Sequence, residues 1–112
     1  MQNNEQKSLR FNEGKVQTKE IDPDFILGIG KVLTKSREKY PAFNWTKDTP
    51  WSVPYESMMR HLLMFQQGEN LDNESKESHL LHAATNLMFL YYYTKNNQEM
   101  DDRFFKSVDN DK

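Results

Sequence analysis

Apolar residues recur along this chain in three helical registers, separated by stretches that keep no period. In the first register Phe25, Ile29, Val32 and Ser36 share one face, with Ile26 and Leu33 beside it. Asp22 suits the N-cap of this helix, Pro23 its first position and Asp24 the positive end of its dipole. The helix is expected to stop near Tyr40, because Pro41 disfavours helix at the residue before it. Gly28 and Gly30 weaken it locally and point to close approach of another helix. In the second register Tyr55, Met58, Leu62 and Phe65 form a stripe; Ser52 is a candidate cap, Pro54 lies in the first turn and Gly68 closes the end. The third helix is predicted to begin between Asp72 and Ser78 and to run to about Lys95, flanked by apolar positions from Leu80 to Leu90. A short last helix over about Asp101–Val108 would place Phe104 and Phe105 on the core or on a partner.

These elements predict an all-α fold: a small helical hairpin or bundle of three to four helices, completed by oligomerisation. Residues 1–20 read as a polar arm, 21–108 as one helical domain and 109–112 as an acidic tail. The arm is either disordered or docks Phe11 on a neighbouring helix or subunit. Between the first two helices Lys39–Pro54 forms a loop rich in proline and aromatics, with Tyr40, Phe43, Trp45 and Trp51. A loop this apolar covers something. It is either a lid over the core or a wall for a flat ligand such as a purine base, with Asn44 or Trp45 at its edge.

Polar residues interrupt the third register in a pattern of their own. His79, His82 and Asn86 are spaced by three and four, which puts them on one stripe of a helix that otherwise reads as buried. Such a stripe is costly without partners. His61 lies about two turns before the end of the second helix, and an antiparallel hairpin brings that level close to His79 and His82. Glu69, Asp72 and Glu74 sit in the connecting loop at the same end. Imidazole nitrogens and carboxylate oxygens converging from facing helices are what divalent-ion sites in bundles use. Taken singly, each has a plainer reading: a core histidine with a hydrogen bond, a solvated loop with helix caps, Arg60 paired with Glu56 four residues before it. Ser75 and Ser78 are better explained as caps than as nucleophiles, and Tyr91–Tyr93 as packing.

Composition narrows the classes. The net charge of -2 argues against a general binder of nucleic-acid polymers. Without cysteine there is neither a disulfide nor a thiolate metal site. No apolar run reaches the roughly 18 residues a membrane span needs, and the N-terminus lacks the apolar core of a signal peptide. The expected setting is therefore cytoplasmic. No Gly-rich phosphate loop, His-Glu-x-x-His motif, nucleophile elbow or adjacent His-Asp pair is present.

Four segments in order, FNEGK (Phe11–Lys15), EKYPAFNW (Glu38–Trp45), RHLLMFQQGENLDNES (Arg60–Ser75) and HLLHAATNLMFL (His79–Leu90), carry a resemblance. Together they resemble the dATP/dGTP diphosphohydrolase N-terminal domain family of phages and prophages, akin to the all-α MazG-like and MazZ-type nucleotide pyrophosphohydrolases. The resemblance covers about residues 11–93. It implies helical hairpins that associate as homo-oligomers, dimers or tetramers, in the host cytoplasm if the chain is phage-encoded. It implies hydrolysis of a purine deoxynucleoside triphosphate to monophosphate and pyrophosphate by metal-assisted attack of water, with Mg²⁺ or Mn²⁺ as the ion. Carried onto this sequence, Glu69, Asp72, Glu74, His79 and His82 would take catalytic and metal-binding roles. Lys39, Asn44, Trp45, Arg60, His61 and Asn86 would contact the nucleotide.

One departure matters. His79-x-x-His82 stands where MazG-like enzymes carry Glu-x-x-Asp, and the preceding helix offers only Glu56. Imidazole suits manganese, zinc or iron better than magnesium. Either the ion is not magnesium, or the three loop carboxylates bind it while the histidines contact phosphate or water, or no ion binds and catalysis has been lost. The alternative functions are a sponge that sequesters a nucleotide or cyclic nucleotide without turnover, and an interaction protein whose polar stripe serves helix pairing.

Overall fold

The computed structural model describes residues 8–106, and the expected acidic tail lies outside them. Three helices make the domain: α1 (Pro23–Ser36), α2 (Ser52–Gln66) and α3 (His79–Asn96). Short 3₁₀ turns lie at Asn44–Thr46 and Gln98–Met100. Among the described residues there is no strand, only a single antiparallel bridge between Leu71 and Ser78. The all-α expectation holds. α3 is the central element, packed against both α2 and α1.

Each helix end has a local cause. Asp22 Oδ1 accepts the amide of Asp24 at 3.1 Å, the capping expected for α1. This helix stops at Ser36, four residues early, because the amides of Arg37, Glu38 and Lys39 turn to carbonyls three residues back. α2 is capped from a distance rather than by Ser52: the Ser52 amide and hydroxyl both donate to Asp102, at 3.0 and 2.5 Å. Its other end is a Schellman motif. Gly68, at φ +100°, donates to Phe65 O, and Glu69 donates to Met64 O. Ser78 caps α3 by accepting the Leu80 amide at 3.1 Å.

The two helical glycines part company. A Cβ on Gly28 would lie 2.6 Å from both Leu81 methyl carbons, so α1 meets α3 there at glycine distance. Around Gly30 a Cβ would meet nothing within 4 Å, so that residue serves no close approach.

Of the last helix expected over 101–108, the described part, Asp101–Lys106, is not helical. The chain makes the 3₁₀ turn at Gln98–Met100, and Asp101–Lys106 carry no helix; Ser107 and Val108 lie outside the described residues. Asp101 and Asp102 take other partners instead. Asp101 binds Arg103 at 2.8 Å, and Asp102 caps α2. Phe104 and Phe105 pack edge to face on each other and stay exposed. Phe11 in the arm is also exposed.

The core is small. Val32, Trp51, Ala83 and Tyr93 are its buried apolar residues. Of the predicted apolar faces, Phe25, Tyr55, Phe65, Leu80 and Leu87 are exposed. The loop before α2 is tied down by Trp51, whose indole N–H donates to Asn97 O at 3.1 Å, and by Asp48, whose Oδ1 accepts the Asn97 side-chain Nδ2 at 2.7 Å.

Candidate functional site

The Schellman turn that ends α2 sends the chain back toward α3 and carries Glu69 with it. Glu69 Oε2 meets His79 Nε2 at 2.8 Å. The loop then folds on itself. The Asp72 amide donates to Glu77 O, and the His79 amide donates to Asn70 O. Asp72 Oδ2 accepts the amides of Glu74 and Ser75, at 3.1 and 2.8 Å. Asp72 is partly buried, which works against its charged form, but the Ser75 amide and neighbouring donors outweigh burial and hold its carboxyl below the ordinary range.

His61 completes the cluster from α2. Its Nδ1 lies 2.8 Å from His79 Nδ1, and its ring stacks on His82 with centroids 4.5 Å apart and planes 7° from parallel. His82 Nε2 lies 2.6 Å from Ser75 Oγ. That hydroxyl already accepts the Glu77 amide, so its proton is free to go to His82. Burial first, and then the neighbouring imidazoles His82 and His79, push His61 below the ordinary histidine value. Burial also lowers His82, against the opposing pull of Asp72. Both rings are thus held toward neutrality, the form that binds ions or takes protons.

One donor atom each from His61, Asp72 and His79 lie within 4.8 Å of one another. Two imidazoles and one carboxylate fit an ion such as Mn²⁺, Fe²⁺ or Zn²⁺ rather than the all-oxygen shell of Mg²⁺. Of the ligands expected from sequence, Asp72 and His79 belong to this group. Glu69 stands behind His79. Glu74 is drawn away to Lys39, with both oxygens 3.1 Å from Nζ, and this charge pair raises the lysine pKa. His82 lies against Ser75 and the His61 ring.

Beside the cluster a groove runs between α1, the aromatic loop and the facing helices. It consists of two adjoining cavities, of 680 and 550 Å³, which share Leu33, Ser36, Tyr40, Ser57, Asn86 and Phe89. The larger is aromatic and cationic: Trp45, Phe43 and Asn44 line it with Arg37 and Arg60. Trp45 stacks on Phe89 at 4.8 Å, and the Tyr93 hydroxyl donates to Trp45 O. The loop therefore covers the core and walls the cavity at once. Lys35, Lys39, Ser75 and His82 line the smaller cavity. Asn86 sits at the junction, donating to Ser57 Oγ at 3.2 Å and to His82 O at 2.9 Å. Among the described residues neither Arg37 nor Arg60 forms an ion pair.

Of the nucleotide-contact residues expected from sequence, Lys39, Asn44, Trp45, Arg60 and Asn86 line this groove, whereas His61 lies in the cluster behind His82. Arg37, Ser57 and Phe89 also line the groove, although no motif in the sequence marks them. Ser75, expected as a helix cap, lies in the loop and holds His82, and Ser78 caps α3. The signal available for Arg37 was its place as a cation shortly before the aromatic loop.

Residues 5–103 match the family described as dATP/dGTP diphosphohydrolase, N-terminal. A protein of Salmonella phage PMBT28 named dATP/dGTP diphosphohydrolase is 30% identical over 95 residues, covering 85% of this chain and 32% of the relative. The chain thus spans about a third of that relative's length. No solved structure matches. With the match running from the arm through all three helices and the loop between α2 and α3, the chain belongs to the dATP/dGTP diphosphohydrolase N-terminal family.

Proposed function

We propose that this domain binds a purine deoxynucleoside triphosphate along the groove and takes part in its hydrolysis to monophosphate and pyrophosphate. The observation that carries this reading is the groove's polarity: an aromatic end with Asn44, two arginines that form no ion pair among the described residues, and a lysine-lined end that reaches His82. The relative's printed name supplies the substrate class.

In this reading the base lies against Trp45 and Phe43, where a flat ring gains stacking and Asn44 offers both a donor and an acceptor. Arg37, Arg60 and Lys39 offset the triphosphate charge. Water adds to the α-phosphorus, the bond to the α–β bridging oxygen breaks, and pyrophosphate leaves. His82, held toward neutrality by burial, takes the proton from that water by way of the Ser75 hydroxyl, which lines the groove beside it. An ion held by His61, Asp72 and His79 would supply neutralisation of phosphate charge and acidification of water.

The test is to incubate the protein with each dNTP and Mg²⁺ or Mn²⁺. Monophosphate and pyrophosphate are expected from dATP and dGTP, and Arg60→Ala should weaken binding about tenfold, the scale of a partly exposed charged hydrogen bond. If no nucleotide binds under any condition, the reading fails. One observation favours binding without turnover: Asp72 is the sole carboxylate in the ion-binding group, with Glu69 and Glu74 engaged elsewhere. Stabilisation by dATP or dGTP in EDTA, with the nucleotide recovered intact also after Mn²⁺ is added, would select that second reading.

A further inference from the structure

We propose that His61, Asp72 and His79 form a binding site for one borderline divalent transition ion, of the Mn²⁺, Fe²⁺ or Zn²⁺ class, and that Glu69 is its positioning residue. This deepens the reading above, which places an ion on the same three residues, and rests on it only for that ion's use; the site itself is argued from geometry and tested without nucleotide.

The three ligands come from three separate pieces of chain: α2, the loop and the first turn of α3. Each is held by something other than an ion. Asp72 is fixed by two backbone amides, both on Oδ2, and the loop around it is closed by the Leu71–Ser78 bridge. The ring plane of His61 is set by the parallel stack on His82. His79 is 3% exposed and its Nε2 faces the Glu69 carboxylate at 2.8 Å.

That last contact decides the chemistry. A carboxylate accepts, so His79 Nε2 carries the proton and Nδ1 presents its lone pair. This lone pair faces His61 Nδ1 at 2.8 Å, with the Asp72 carboxylate within reach of both. Two imidazole nitrogens facing each other at this distance share one proton, and an ion of suitable softness competes for the same lone pairs. A carboxylate behind a ligating histidine is the usual device for fixing its tautomer and raising its basicity. Two nitrogens and one oxygen select against Mg²⁺, which demands an oxygen shell.

The experiment is calorimetric titration of the EDTA-stripped whole chain, without nucleotide, with ZnCl₂, MnCl₂ and MgCl₂, with native mass spectrometry for stoichiometry. One Zn²⁺ or Mn²⁺ per chain is expected, with Zn²⁺ at least ~100-fold tighter than Mg²⁺. Asp72→Asn and His61→Ala should each abolish or severely weaken binding, and Glu69→Gln should weaken it roughly 10–100-fold. Cobalt provides a second readout: the visible spectrum of the Co²⁺-loaded chain should change in His61→Ala. Circular dichroism confirms that each variant is folded, and the isosteric Asp72→Asn keeps the test open if His61→Ala is not. Mg²⁺ binding as tightly as Zn²⁺, or Zn²⁺ binding unaffected by Asp72→Asn and Glu69→Gln, overturns the proposal. Because nucleotide is absent, failure here is separate from failure of the nucleotide reading.

Discussion

At the scale of single residues, the histidine cluster ties stability to pH. His61 and His82 both sit below the ordinary histidine value of 6.5 because burial disfavours their charged forms. The unfolded chain therefore binds protons on these groups that the folded chain does not. Their contribution to stability is fully present above about 6.5 and is lost as pH falls from there through their folded values. In EDTA, the melting temperature should be flat between about pH 8 and 7 and should fall between about 7 and 5.5, before the ordinary carboxylates titrate. The slope should lessen in His82→Asn. A melting temperature that does not fall over that interval would contradict the assignment. The stripe His79, His82 and Asn86 was legible from spacing alone, because helical period needs no knowledge of tertiary structure. The role of each loop carboxylate was not. Glu69 goes to His79 only because of the Gly68 turn, and Glu74 goes to Lys39 across 35 residues of chain.

At the scale of elements, what sequence conveyed best was what local chemistry controls. The Asp22 cap, the Gly68 terminus and the three helical registers follow from neighbouring residues and were readable. The cap of α2 was not, since Asp102 reaches Ser52 from 50 residues away, and the same contact helps explain why Asp101–Lys106 carry no helix. The glycines of α1 make the distinction measurable. Gly30→Ala fills open space and gains helix propensity, so it should stabilise by up to about 1 kcal/mol. Gly28→Ala gains the same propensity but forces its methyl against Leu81, a strain of about 1–3 kcal/mol. It should come out destabilising by about 1 kcal/mol. Urea unfolding of both variants checks the pair; equal effects would mean that α1 does not approach α3 closely at Gly28. Gly68→Ala should cost about 1 kcal/mol, because the residue sits at positive φ, and should loosen Glu69 from His79 with it.

At the scale of the whole molecule, the apolar inventory does not close within one chain. Among the described residues few large apolar side chains are buried, whereas each helix leaves others in solvent: Phe25, Ile26 and Leu27 on α1, Leu63 and Phe65 on α2, Leu87 and Tyr91 on α3. The radius of gyration is 19.3 Å, against roughly 13 Å for a compact chain of this length. A monomer with so little buried surface is marginal, and association with a second copy is the simplest way to cover the exposed faces. We therefore expect the chain to self-associate, with a melting temperature that rises with protein concentration, as mass action requires when folding and assembly are linked. Light scattering coupled to size exclusion would give the mass directly. Leu63→Glu and Leu87→Glu place a charge on faces that are already exposed in the single chain, so they should barely alter the fold of a monomer. If either face is an interface, its variant should shift the mass toward one chain and remove the concentration dependence. A wild-type chain that stays monomeric, with a melting temperature independent of concentration, would show that the exposed apolar side chains are not used between copies.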